Sequence, residues 1–276
     1  MKVFFKIFGV VTLICFSFFY TDKVMTVVSD KDPLKIQIVN LQDEYKISPN
    51  EAIITTDTII PGNNGKELNI EASYNKMKKN NIFNTNLLEY KEIYPEHRLI
   101  DNKDKYIING SINKKSVSLL FLIDSNNNLN KLFDILDKKN VKANLFIEYK
   151  YLNSNITDIK NHNNHNIYLY QDNYTYDSLI ISNNIIKRIS DTNPIYCLTK
   201  EKNTNNLNIC SYLEMYTIIP SINGNYNEIK TKLDNGSIIL FDTSSVTISE
   251  LSYIIDFITG KGYNIETLDK LLQEKI

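Results

Sequence analysis

The stretch SVSLLFLIDSNNN, residues 116–128, runs from eight uncharged, mostly apolar residues into an aspartate and a cluster of turn-formers. A continuous apolar run bounded by turn chemistry reads as a strand covered on both faces. Working outward, LNKLFDILDKK (129–139) places Leu129, Leu132, Phe133, Ile135 and Leu136 on one side of a helix, and VKANLFIE (141–148) is a second strand. Strand, helix and strand in that order make a βαβ unit, which implies parallel pairing and a right-handed crossover. The alternation continues to the end of the chain. NIYLYQ (166–171), MYTIIPSI (215–222) and GSIILFDTS (236–244) read as strands, and YDSLIISNNIIKRIS (176–190), NYNEIKTKLDN (225–235) and TISELSYIIDFITGKG (247–262) as helices. YNIETLDKLLQEK (263–275) supplies a last strand and helix. The fold class is therefore α/β, a sheet or barrel over some 160 residues, with no internal repeat of fixed period.

Upstream the rhythm is different. LKIQIVN (34–40) and EAIITTDTII (51–60) read as short strands, PGNNG (61–65) as a turn, LNIEASYNKMKK (68–79) as a helix and NLLEYKEIYP (86–95) as extended chain. These make a small mixed lead-in region over residues 23–112, with no chemical constellation in it. The first segment, MKVFFKIFGVVTLICFSFFYTDK (1–23), sets Lys2 and Lys6 ahead of an uncharged run from Ile7 to Tyr20. That is the shape of an export signal. Counted back to Val3 it makes a short spanner, and with no small-x-small cleavage site after it a retained anchor over residues 1–22 is expected, with secretion after cleavage as the alternative. Positive residues before the run leave the remainder outside the cell membrane.

Net charge is −1 among 276 residues, with both signs scattered, so no basic stripe points to nucleic acid. Two cysteines, Cys197 and Cys210, flank a loop-like LTKEKNTNNLNI, and outside the cytoplasm they are expected to form a disulfide worth about 3 kcal/mol in the chain-entropy description, two packed thiols being the alternative. Cys15 lacks the small residue that precedes a lipidated cysteine. There is no phosphate-cradling glycine loop, no Cys-His cluster at zinc spacing and no serine elbow.

LLFLIDSNNNLNKLFDILDKKNVKANLFI (119–147) resembles the opening of the polysaccharide deacetylase (NodB homology, carbohydrate esterase) family, whose pattern reads LTFDDGP…iLdiLkkynvkATFF. NGSIILFDTSSVTISELSYIIDFITGKGYNIETLDKLL (235–272) is similar to that family's ending. The resemblance covers residues 113–276 and implies a deformed (β/α) barrel with its pocket at the C-terminal strand ends. It also implies removal of acetyl groups from N-acetylated glycans by a divalent metal held by one aspartate and two histidines, with a second aspartate as base. In this chain the two acid positions fall on Leu122 and Ile123, and Asp124 stands one place late. Tyr170 and Tyr174 fall on the two histidine positions, and His165 on the non-ligating one. NPIYCLTK, around Pro194 and Tyr196, keeps no arginine, and the general-acid histidine is replaced by Asp242.

These substitutions predict an exported, membrane-tethered, noncatalytic member of the family, associated with cell-wall glycan or serving as a scaffold, with no cofactor. Tyr168, Tyr170, Tyr174 and Tyr176 then offer faces for sugar stacking or fill the space left by metal and water. His162 and His165 read as surface polar residues. Two alternatives stand beside this. One is an active N-acetylglucosamine deacetylase with an altered site on Asp124 and Asp242, zinc-dependent if so. The other is an envelope interaction module.

Overall fold

The computed structural model describes residues 2–125, 128–161, 164–190 and 193–275. Asn126, Asn127 and His162, read above as loop and surface residues, lie outside them. The chain begins with helices α1 (Lys2–Asp30) and α2 (Pro33–Val39), then strands β1 (Ile53–Ile54), β2 (Thr58–Ile60) and β3 (Gly65–Leu68). Helix α3 (Ile70–Lys78), β4 (Tyr90–Ile93) and β5 (Tyr106–Ile107) follow. Next come β6 (Ser116–Ile123), α4 (Leu129–Lys138), β7 (Asn144–Glu148), α5 (Tyr149–Ser154), α6 (Ile156–Lys160), β8 (Asn166–Tyr170) and α7 (Tyr176–Ser190). The last part holds β9 (Tyr196–Leu198), α8 (Thr204–Tyr212), β10 (Tyr216–Ile218), β11 (Ile222–Asn223), α9 (Tyr226–Lys232) and β12 (Ile238–Phe241). It closes with α10 (Ser245–Gly260), β13 (Asn264–Ile265) and α11 (Leu268–Leu271).

Two compact units result, Met1–Ser48 with Gly65–Ile93, and Pro49–Asn64 with Tyr94–Ile276. Residues 49–64 and 94–112, read from sequence as lead-in, thus belong to the larger unit: β2 and β5 there pair in parallel with each other and β5 with β10. Two- and three-residue strands carry too little periodicity to be assigned to a sheet from sequence.

In the smaller unit, Leu34, Ile38, Leu68, Tyr74, Met77 and Leu88 form the core. LKIQIVN, expected as a strand, is helix α2. Asp32 accepts a hydrogen bond from the Leu34 amide at 2.9 Å and Pro33 opens the first turn, so the cap decides between two periods that a seven-residue segment fits equally well. Helix α1 turns Leu13, Phe16, Phe18, Phe19 and Tyr20 to solvent. Among the described residues no helix is long and apolar enough to cross a membrane, so the fold by itself shows no anchor.

The larger unit is α/β. One sheet runs β11-β12-β6-β7-β8, with β13 also on β6, all parallel; the other runs β1-β2-β5-β10-β9, parallel except for β1 with β2. Both contribute to one enclosed core: Leu120, Phe146, Tyr168 and Ile238 from the first meet Ile59, Ile107, Leu198 and Ile218 from the second. A second apolar layer lies between the first sheet and its helices, where Leu119, Phe121 and Leu145 pack with Leu132, Leu136, Leu251 and Ile254. The segment between Cys197 and Cys210, read as loop, holds the first turns of α8, whose Asn203 cap accepts from the Asn206 amide. Asparagine-rich sequence hides such a helix because the same residues that favour turns also cap. A disulfide joins Cys197 on β9 to Cys210 on α8.

The C-terminal segment closes the enclosed core, where Leu268, Leu271 and Leu272 are buried. Asn144, fully buried, holds it there. The Asn144 side chain accepts from the Leu268 amide at 3.0 Å and donates to Ser118 Oγ at 2.9 Å and to the Leu119 carbonyl at 3.1 Å. Asn144→Ala leaves these buried groups without partners and is expected to destabilise the larger unit by about 2 kcal/mol, read as a lower urea midpoint at unchanged slope.

Candidate functional site

The pleat of β6 decides what reaches the end of the sheet. Val117, Leu119, Phe121 and Ile123 enter the helix-facing layer, whereas Leu120 and Leu122 face the enclosed core. Strands β7, β8 and β12 follow the same parity, with Phe146, Tyr168, Tyr170, Ile238 and Leu240 inside. The registers Leu240 with Leu120, Leu122 with Phe146 and Glu148 with Tyr170 bring these C-terminal strand ends together.

Three hollows open at this end. The first, about 430 Å³, is lined by Leu122, Lys200, Asn223, Asn225, Leu240 and Asp242. The second, about 530 Å³, shares Asp242 and adds Asp124, Ser125, Asn128 and Ser244. The third, about 270 Å³, shares Lys200 and adds Tyr170, Asp172, Thr199 and Asn203. Close approach builds one wall: the Gly224 amide donates to the Leu240 carbonyl at 2.7 Å, and a Cβ at Gly224 would stand 2.2 Å from the Phe241 ring.

Leu122, Asp124, Tyr170 and Asp242 thus gather at the mouth. Ile123 and Tyr174 do not. Ile123 is 2% exposed in the helix-facing layer, and Tyr174 is 1% exposed in the same layer. The four tyrosines, read as sugar-stacking faces or as fillers of the vacated space, divide. Tyr168 is buried in the core between Phe146 and Tyr196, Tyr176 pairs with Tyr212 on the helical surface, and Tyr170 lines the third hollow. His165, expected at the surface, is buried, stacked on Phe133 with ring centroids 5.5 Å apart and accepting from the Ala143 amide at Nδ1. Lys200 was not singled out in the sequence. It lies 5.3 Å from the Tyr170 ring centroid and lines two hollows, and the signal was a cation directly after a strand end, in CLTK.

Asp242 and Tyr170 both make hydrogen bonds at the mouth. Asp242 accepts from the Ser244 amide at 3.1 Å, from Ser244 Oγ at 2.8 Å and from Thr247 Oγ1. Burial alone would raise its pKa, but these hydrogen bonds to the ionised form outweigh it and hold the carboxyl below its ordinary value. Ser244 in turn caps α10, and Asn128 bridges to the Thr243 carbonyl and Ser245 Oγ. Tyr170 donates to Asp172, and its phenol is pushed upward first by burial and then by that carboxylate.

The divalent metal that the resemblance implies does not fit this residue set. Leu122 and Ile123 have no donor atom. A phenolate would be needed at Tyr170, whose pKa is shifted away from ionisation, and Tyr174 points elsewhere. Among the described residues no group of three His, Cys, Asp or Glu side chains comes close enough to hold a metal ion.

No family model matches the chain. An uncharacterized protein, YlxY, of Bacillus subtilis (strain 168) is 27% identical over 278 aligned positions, spanning 91% of this chain and 86% of that one. Wild-type BA3943 of Bacillus anthracis, described as a CE4 family pseudoenzyme, is 26% identical, with a TM-score of 0.67 over 89% of this chain and 96% of that chain. A mutant of BA3943 with restored enzymatic activity is 26% identical, with the same TM-score of 0.67 over 88% of this chain and 99% of that chain.

Because the folded-state pKa of Asp242 is depressed, its hydrogen bonds contribute stability above the unfolded carboxyl pKa, and this is lost as pH falls through the folded value. Asp242→Asn is therefore expected to lower the urea midpoint at pH 7, with the gap to the parent protein closing only as pH falls below the ordinary carboxyl range, in a denaturation series from neutral to acid pH.

Proposed function

We propose, from the premise that the chain is a degenerate relative of the polysaccharide deacetylases, that it is an exported, membrane-tethered envelope protein on a deformed (β/α) barrel that has lost its metal and acid/base residues. Its role is noncatalytic, as a glycan-associated protein or a scaffold. The observation that carries this reading is the mouth itself. Its central position is Leu122, its histidine position is Tyr170 held by Asp172, and its acid position is Asp242, committed to three hydrogen bonds as part of a helix cap.

The resemblance to BA3943, a pseudoenzyme in which a mutant regains activity, supports a scaffold that outlives its chemistry. The hollows are polar, with Asn223, Asn225, Asn203 and Lys200 offering donors and acceptors of the kind that bind sugar hydroxyls. For the tether, the support is Lys2 and Lys6 ahead of the apolar run and the exposed Phe16, Phe18, Phe19 and Tyr20 on α1, an apolar surface unfavourable in water. The disulfide between Cys197 and Cys210 supports an oxidising compartment.

A second reading, hydrolysis on Asp124 and Asp242, is favoured by the hollow they share. Against it stands the depressed pKa of Asp242, which leaves it without a proton to give near neutral pH. Purified protein is expected to carry no stoichiometric zinc by elemental analysis and to release no acetate from N-acetylglucosamine oligomers. Zinc with turnover would replace the first reading by the second, and binding of the oligomers in calorimetry without turnover would separate glycan association from scaffolding.

A further inference from the structure

Strands β8 and β9 lie side by side, yet no backbone ladder joins them among the described residues. β8 ends one sheet and β9 ends the other. Peptide groups along a buried edge need partners, so something must take the place of pairing. The Tyr174 hydroxyl stands between them, 3.1 Å from the Leu169 carbonyl oxygen on β8 and 3.2 Å from the Leu198 amide nitrogen on β9. A phenol gives one hydrogen and accepts on its lone pairs. Accepting from Leu198 N–H and donating to Leu169 C=O satisfies one group on each strand, with the Leu198 carbonyl at 3.2 Å as the other acceptor within reach.

We infer that Tyr174 is the hydrogen-bonded bridge between the two sheets, and that position 174 has thereby left the mouth altogether. The misfit to a metal at this position is then architectural: returning a histidine there removes the bridge and does not create a ligand. The surroundings are built for the role. The Tyr174 amide donates to Asn206 Oδ1 at 2.9 Å, and Asn206 Nδ2 donates to the Asp172 carbonyl at 2.9 Å, which fixes the loop after β8. Asn206 is fully buried on α8, and the disulfide ties α8 back to β9. Deeper along the same seam, the Tyr168 ring meets Tyr196 edge-on at 5.4 Å, and Asp269 accepts from Asn166 Nδ2 at 2.8 Å. The inference rests on this chain's own geometry and holds whether or not the protein has an activity.

Amide hydrogen exchange tests it. In the parent protein the Leu198 amide is expected to exchange as slowly as the paired amides of β7 and β8; exchange at loop rates would overturn the bridge without any variant being made. Tyr174→Phe keeps the ring and removes the hydroxyl. It is expected to speed Leu198 exchange by about tenfold or more and to lower the melting temperature, with the β6 and β7 amides little changed. Unchanged Leu198 protection in that variant would sink the proposal. The double variant Tyr170→His/Tyr174→His is expected to show no saturable zinc binding in calorimetry, and one zinc per chain would overturn the claim that the position is withdrawn from the mouth.

Discussion

Everything at the mouth follows from β6 being buried on both faces. An eight-residue parallel strand sends alternate side chains to opposite layers, and here both layers are apolar and full. Leu119 and Phe121 are fixed under α4 and α10, so Leu120 and Leu122 have nowhere to go but the enclosed core. Moving the register by one residue would put each set into the other's space, which is why the strand tolerates no slip. The same parity, carried through β7, β8 and β12, brings Leu122, Tyr170 and Asp242 to one end and keeps Ile123 away from it.

The larger unit closes by side chains where backbone pairing stops. Asn144 fastens the C-terminal helix beneath the enclosed core, and tyrosines with Asp269 line the junction of the two sheets. Such polar groups are useful in a dry interior only when each hydrogen bond is made, and the geometry at Asn144 and Tyr174 meets that demand. Desolvation raises the pKa of Tyr168, Tyr174 and Tyr196, which keeps these hydroxyls protonated and able to donate. Structural duty of this kind and reactive duty make opposite demands on a side chain, since a nucleophile, base or ligand must keep a lone pair or a proton free.

That contrast explains the chemistry of the mouth. Asp242 turns Oδ1 to Ser244 and Thr247 at the start of α10. Tyr170 is occupied by Asp172, with the Lys200 ammonium over its ring. An aliphatic Leu122 between them offers contact but no polarisation. The proposed binding role rests on the polar side chains around the hollows, Asn203, Asn223, Asn225 and Lys200.

Much of the α/β order was legible in the sequence because its signals are local. Apolar runs, the amphipathic faces of α4 and α10, and turn residues at their ends fix β6, β7, β8, β12 and the helices between them. The aliphatic residues at 122 and 123 and the absence of histidines at 170 and 174 could also be read directly. Tertiary structure alone decided the rest. Whether LKIQIVN is strand or helix depended on the Asp32 cap, and α8 was masked by asparagines that serve turns and caps alike. Whether Tyr174 faces a ligand or joins two sheets depended on where β9 lies, a contact made across 24 residues of chain. Periodicity along a sequence specifies which face of an element is apolar, but not which distant backbone group a buried hydroxyl will meet, because that partner is chosen only when the sheets come together.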